Sequence, residues 1–113
     1  MFKKAERLNR TKFTEFFKRG RRFQSPALTL VYTPNISFQI SIVVGKKVSK
    51  SAVERNRTRR RLYASVARFK EENAIAEGVC IVIAKPQAGA LTRADLAKEC
   101  AQTLCLAYLP KAR

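Results

Sequence analysis

Histidine and tryptophan are absent from this chain of 113 residues, and aspartate occurs only once, at Asp95. Without histidine the chain lacks the commonest general base and the most frequent nitrogen ligand of zinc, which excludes the usual triads and the common zinc sites. The 8 Asp+Glu residues are scattered, and their spacing does not predict a two-metal nuclease site. We therefore predict no catalytic residue and no metal site in the protein itself.

Long hydrophobic runs are missing as well. The longest apolar stretch, residues 79–84, is far shorter than the roughly 20 residues of a membrane-spanning helix. The basic N-terminal residues are not followed by an apolar segment, so no secretory signal is predicted. The three cysteines are odd in number and lack CxxC spacing; we interpret Cys80 and Cys100 as small buried residues. We expect one cytoplasmic domain over residues 1–113, with no membrane partner.

Positive charge is what the chain has in excess: 24 Lys+Arg residues give a formal net charge of +16 and a pI of about 10.7. Such an excess is costly for an isolated globule and favourable beside a polyanion such as RNA. The charge is densest in residues 46–61, where Glu54 is the only acid. The basic residues there are Lys46, Lys47, Lys50, Arg55, Arg57, Arg59, Arg60 and Arg61. Arginine binds phosphate through two donors at once, so this segment predicts a phosphate-rich ligand.

Three phenylalanines at positions i, i+3 and i+4 predict one apolar face on a helix over residues 11–19. They are Phe13, Phe16 and Phe17. Asn9 or Thr11 can cap its start, and Gly20 suits a left-handed residue at its end. We assign Phe16 to the core. Phe13 and Phe17 are left open between core packing and stacking on a nucleotide base.

The remaining elements follow from periodicity. Strands are predicted at residues 28–33, 38–44 and 79–84, with a further short strand possible at 22–25. Helices are predicted over residues 51–72 and from Thr92 onward, the latter with Asp95 in an approximate capping box. The order αβββαβα predicts an α/β (α+β) two-layer sandwich.

The arginine-rich helix has an expected core face of its own. Ala52, Asn56, Tyr63 and Ala67 fall on one side, and Leu62, Val66 and Phe69 widen this face toward the C-terminal half. In the first half of the helix, arginines occupy most of the other directions. Tyr32 lies in the strand at residues 28–33, and the pattern alone favours a core position for it.

The segment GKKVSKSAVERNRTRRRL, residues 45–62, resembles the signature of the bacterial ribonuclease P protein component. The matching features are the lysine pair Lys46-Lys47, the run Arg55-Asn56-Arg57 and the following Arg59-Arg60. The resemblance extends over residues 7–106, although only Lys85 stands before Pro86 where the family usually has an arginine-rich strand end.

This resemblance implies a function and a set of partners. The family's protein binds a catalytic RNA subunit, one protein per RNA, and holds the 5′ leader of precursor tRNA while the RNA removes the leader with Mg²⁺. Duplex DNA is not an expected partner. The implied RNA-binding residues are Lys46, Lys47, Lys50, Arg55, Asn56, Arg57, Arg59, Arg60 and Arg61. The implied leader-binding cleft is formed by Phe13, Phe17 and Tyr32.

The resemblance also implies the topology of the second domain of ribosomal protein S5, with a left-handed βαβ crossover. Strand twist alone would favour a right-handed crossover. Three other functions fit the residues without the resemblance: a ribosomal protein, a DNA-binding protein that uses its arginine helix in the major groove, and an autonomous nuclease.

Overall fold

The computed structural model of the protein describes residues 2–109. Seven regular elements follow one another in the order αβββαβα, with 3₁₀ turns at Lys4–Glu6 and Pro86–Ala90. The elements are α1 (Arg10–Arg19), β1 (Arg21–Gln24), β2 (Leu28–Thr33), β3 (Phe38–Val43), α2 (Ala52–Glu72), β4 (Gly78–Ala84) and α3 (Arg93–Tyr108). The α+β class and the predicted order are confirmed, and the strand that was only possible from sequence is β1.

The four strands form one sheet in the order β1-β2-β4-β3. β2 pairs antiparallel with both β1 and β4, whereas β3 and β4 are parallel neighbours. A parallel pair needs a crossover connection, and here that connection is α2. The left hand of this crossover stays a prediction.

The two faces of the sheet carry different helices. Alternate residues of β2, β3 and β4, among them Leu30, Ile40 and Val82, form the main core with α2 and α3. The opposite face is covered by α1, whose Phe16 packs on Val31, Val79 and Ile81. Because side chains alternate along a strand, each residue of β2 can be assigned to one face.

Side-chain caps define the helix starts. The Asn9 side chain accepts a hydrogen bond from the backbone N–H of Lys12 at 2.8 Å, so Asn9 and not Thr11 caps α1. The Thr92 hydroxyl accepts from the N–H of Asp95 at 3.1 Å, which confirms the predicted start of α3. Each such cap contributes about 1 kcal/mol to helix stability.

Gly20 ends α1 for a different reason from the one predicted. Its φ is −71°, which is not left-handed. A Cβ atom added there would lie 2.1 Å from Cγ1 of Val31 and 3.0 Å from the carbonyl oxygen of Phe16. Gly20 is therefore required by the close approach of the chain to β2, and the expectation of a left-handed cap was wrong.

No helix within residues 2–109 is both long enough and apolar enough to cross a membrane.

Candidate nucleic-acid interface

The first turns of α2 project beyond the core. Ser51 caps the helix by accepting a hydrogen bond from the N–H of Glu54 at 3.3 Å. From residue 52 to residue 57 no side chain is buried, and the first buried residue of α2 is Thr58. The buried seam then continues through Leu62, Val66 and Phe69.

This seam confirms the predicted core positions of Leu62, Val66 and Phe69 and corrects the first half of the predicted face. Ala52 and Asn56 are exposed, and Tyr63 and Ala67 are only half-buried. The expectation that Ala52 and Asn56 belong to the core face was wrong, because the buried seam begins only at Thr58. Of the arginines in this part of the helix, Arg57 and Arg60 are exposed, and Arg55 and Arg59 are half-buried.

The basic loop before α2 is attached to the helix by Arg55. Its Nη1 donates to the carbonyl oxygens of Ser49 and Lys50, both at 3.0 Å. Arg55 is half-buried, whereas Lys46, Lys47 and Lys50 are exposed. The structure thus joins the predicted loop lysines to the predicted helix arginines in one surface, with part of the Arg55 guanidinium used to position the loop.

Two polar residues orient the helix arginines. The Asn56 side chain accepts a hydrogen bond from Nη1 of Arg59. Glu54 accepts from the Ser49 hydroxyl at 2.8 Å and lies 4.0 Å from Nη2 of Arg57, at the limit of an ion pair. A surface pair of this length neutralises little charge. The acid inside the basic segment therefore fixes the loop and leaves the surface strongly positive.

The remaining predicted arginines differ in burial. Arg57 and Arg60 are exposed, and Arg61 is half-buried, with its Nε atom enclosed and without a hydrogen-bond partner among residues 2–109. A buried donor without a partner costs about 1–3 kcal/mol. The Nε of Arg61 is thus a donor on α2 that no described residue satisfies.

A second candidate surface lies on the α1 side of the sheet. The rings of Phe13 and Phe17 are parallel, with centroids 5.7 Å apart and an interplanar angle of 10°. Both are half-buried, and the guanidinium of Arg22 lies 4.5 Å from the Phe17 ring centroid. Aromatic rings beside an arginine form a stacking platform for unpaired bases.

The same face of the sheet continues onto strand β3. Its side chains Ser41 and Val43 pair in register with Ile81 and Ile83 of β4 and are half-buried. Because α1 packs on β2 and β4, this part of the sheet is only partly covered. We call this partly covered face of the sheet, together with Phe13 and Phe17 of α1, the groove.

The assignment of Tyr32 to that groove was wrong. Tyr32 pairs with Cys80 in the sheet and belongs to the core on the α2 and α3 side. Its ring meets the Tyr108 ring edge to face at 4.8 Å. The preceding residue, Val31, lies on the α1 face instead. The core position favoured by the sequence pattern alone is the one observed.

Arg22 is a candidate residue that the sequence analysis did not select. Its register with Val31 places it on the α1 face. The alternation of side chains along β1 could have indicated the face on which Arg22 lies. That inference requires β1 to be assigned and its pairing with β2 to be known.

The two buried thiols are unsuited to nucleophilic catalysis. Burial raises the pKa of Cys80 and of Cys100 to about 12, so both stay protonated at neutral pH and are poor nucleophiles. Burial also raises the pKa of Tyr108, whose hydroxyl donates to the carbonyl oxygen of Gly78 at 3.1 Å. Among residues 2–109, no three His, Cys, Asp or Glu side chains are grouped as a metal site would need.

Comparison with known proteins identifies the family. The family model described as Ribonuclease P matches residues 2–107. The chain belongs to the Ribonuclease P family. The predicted family is thereby confirmed.

Individual relatives agree with this. The ribonuclease P protein component of a Nitratiruptor species is 39% identical over 75 residues, covering 66% of this chain and 66% of the relative. That of a Synechococcus species is 42% identical over 60 residues, covering 48% of this chain and 45% of the relative. These matches thus span about half to two thirds of the length of the curated relatives.

The fold is also that of a solved ribonuclease P protein. A Staphylococcus aureus RNase P protein mutant with defective mRNA degradation activity superposes with a TM-score of 0.83 at 25% identity. The superposition covers 92% of this chain and 89% of that one.

Proposed function

We propose that this member of the Ribonuclease P family is an RNA-binding subunit that assists removal of the 5′ leader from precursor tRNA. The observation that carries the proposal is the first part of α2, where residues 52–57 bury no side chain and Arg57 and Arg60 are exposed. Together with the loop lysines, this surface binds the phosphates of a catalytic RNA subunit. One protein per RNA molecule is expected.

The leader binds in the groove on the other face of the sheet. Phe13 and Phe17 supply stacking surfaces for unpaired bases, and Arg22 supplies charge for a nearby phosphate. The two surfaces are separate, because α1 and α2 pack on opposite faces of the sheet. The protein can therefore contact two RNA molecules at once.

Bond breaking belongs to the RNA partner in this proposal. The catalytic RNA and its Mg²⁺ ions carry out hydrolysis of the phosphodiester, and the protein lowers the electrostatic repulsion between the RNA and the precursor. The protein acts in the cytoplasm as part of a ribonucleoprotein endonuclease.

A titration at increasing salt tests RNA binding. The protein is added to a bacterial ribonuclease P RNA and to duplex DNA of equal length, from low salt to salt well above physiological. We expect tighter binding to the RNA at every salt concentration and a steep, linear fall of log affinity with log salt. Equal affinity for the DNA duplex would contradict the proposal and favour a DNA-binding protein.

A further inference from the structure

A cavity of about 370 Å³ lies between α2 and α3, and five arginines line it. Four come from α2 and one from the first residue of α3. They are Arg57, Arg60, Arg61, Arg68 and Arg93. Arg68 and Arg93 lie outside the basic segment that the sequence analysis selected.

The helix geometry explains why the cavity exists. On α2 the lining arginines recur at intervals of three, four and seven residues, which places them along one side of the helix. Ala64 lies between them, and Ala97 lines the cavity from α3, one turn after Arg93. Small side chains where the helices face each other leave space, and long arginine side chains surround it.

The charges around this cavity are poorly compensated. None of its lining residues is acidic. Within residues 2–109, Arg60, Arg61 and Arg93 form no ion pair, and Arg61 also holds the buried Nε without a partner. Arg68 pairs with Glu72 at 3.0 Å, but this pair is largely exposed to solvent. Guanidinium groups that converge without acids are arranged to receive an anion.

We propose that the cavity between α2 and α3 is an additional RNA-binding site, in which Arg61, Arg68 and Arg93 hold a backbone phosphate. The inference rests on the proposed function, since it takes RNA as the partner. Arg57 and Arg60 belong both to the cavity and to the exposed α2 surface. An RNA strand bound along the first turns of α2 therefore continues directly into the cavity, and α3 becomes part of the interface.

A charge-matched pair of variants tests this site. Arg68→Gln/Glu72→Gln/Arg93→Gln removes two lining guanidinium groups together with the acid that pairs with one of them. Lys98→Gln is the control: Lys98 is an exposed residue of α3 that does not line the cavity. Both variants lower the net charge by the same single unit. Binding to ribonuclease P RNA is measured across salt, and circular dichroism and thermal unfolding check that both variants fold.

The expected result is a salt slope shallower by about 1 in the triple variant, because each lost phosphate contact removes roughly that amount. The control keeps the wild-type slope. Arg68→Lys/Arg93→Lys should keep the slope but bind more weakly, since lysine retains the charge without the planar fork. Equal slopes in the triple variant and the control would overturn the proposal.

A small phosphate compound is the alternative ligand for the same arginines. Inorganic pyrophosphate is therefore titrated separately by calorimetry. Pyrophosphate binding that the triple variant abolishes, with an unchanged RNA slope, would overturn the assignment to RNA. Failure of the wild-type protein to bind the RNA at all would instead refute the proposed function, and the RNA-binding site with it.

Discussion

Replacement of Phe17 by alanine separates leader binding from stability. Phe17 is half-buried, stacks on Phe13 and lies 4.5 Å from the Arg22 guanidinium. Loss of one base-stacking surface costs about 1–3 kcal/mol. Because about 1.4 kcal/mol corresponds to a factor of ten, the affinity of the holoenzyme for leader-bearing precursor should fall about 5- to 150-fold. The affinity for mature tRNA, which has no leader, should change little.

Phe23→Ala is the matched control for this variant. Phe23 is also half-buried and has an arginine, Arg21, 5.2 Å from its ring centroid, but it packs on the opposite face of the sheet. Both substitutions should lower the free energy of unfolding by roughly 2 kcal/mol, about half the cost of truncating a fully buried phenylalanine. The assay is equilibrium binding of precursor and mature tRNA to the reconstituted holoenzyme. If Phe23→Ala weakened precursor binding as much as Phe17→Ala, the groove would not be the leader site.

Other substitutions test the remaining surfaces. Arg57→Ala with Arg60→Ala should weaken binding to the RNA subunit at least about tenfold, measured by titration at fixed salt, because two phosphate contacts are lost. Gly20→Ala should lower the free energy of unfolding in urea by about 1–3 kcal/mol, because its new Cβ overlaps a valine methyl of β2 at 2.1 Å. In native protein at mildly alkaline pH, a thiol reagent should modify the exposed Cys105 and spare Cys100, whose pKa burial raises to about 12.

Each of these predictions has an outcome that contradicts it. Unchanged RNA affinity in the double arginine variant would exclude the exposed α2 surface as the RNA contact. A Gly20→Ala variant as stable as the wild type would show that the chain can move away from β2 without cost. Fast modification of Cys100 would mean that the core on the α3 side opens readily.

The sequence predicted the elements and their order because the periodic patterns were strong. Residues 38–44 alternate cleanly, and all but the last of them form β3. The apolar run before Lys85 is the central strand β4. The helix cap at Thr92 was recognisable because capping depends on a few neighbouring residues.

Features that depend on tertiary contacts were not predictable in this way. Tyr32 was placed in the leader cleft through a family resemblance, but side chains alternate along a strand and a shift of one residue changes the face. In this chain Val31 takes the cleft face. Likewise, glycine is required at position 20 because the chain there lies close to Val31 of β2. No local sequence pattern reveals this approach.

The arginine-rich surface shows both what the sequence predicts and what depends on the structure. Residues 46–61 were selected correctly as one contiguous basic segment, since charge density is read directly from sequence. The contribution of Arg93 to the cavity beside α2 depends on how α3 packs, so it emerged only from the structure.

Cleavage of precursor tRNA at low Mg²⁺ separates the roles that we propose for the protein and for the RNA. Bacterial ribonuclease P RNA alone, the protein alone and the two together are incubated with end-labelled precursor. We expect leader removal only in the combined reaction, because the protein supplies binding and the RNA supplies the chemistry. Cleavage by the protein without RNA, or no stimulation of the RNA by the protein, would refute the proposed division between binding and chemistry.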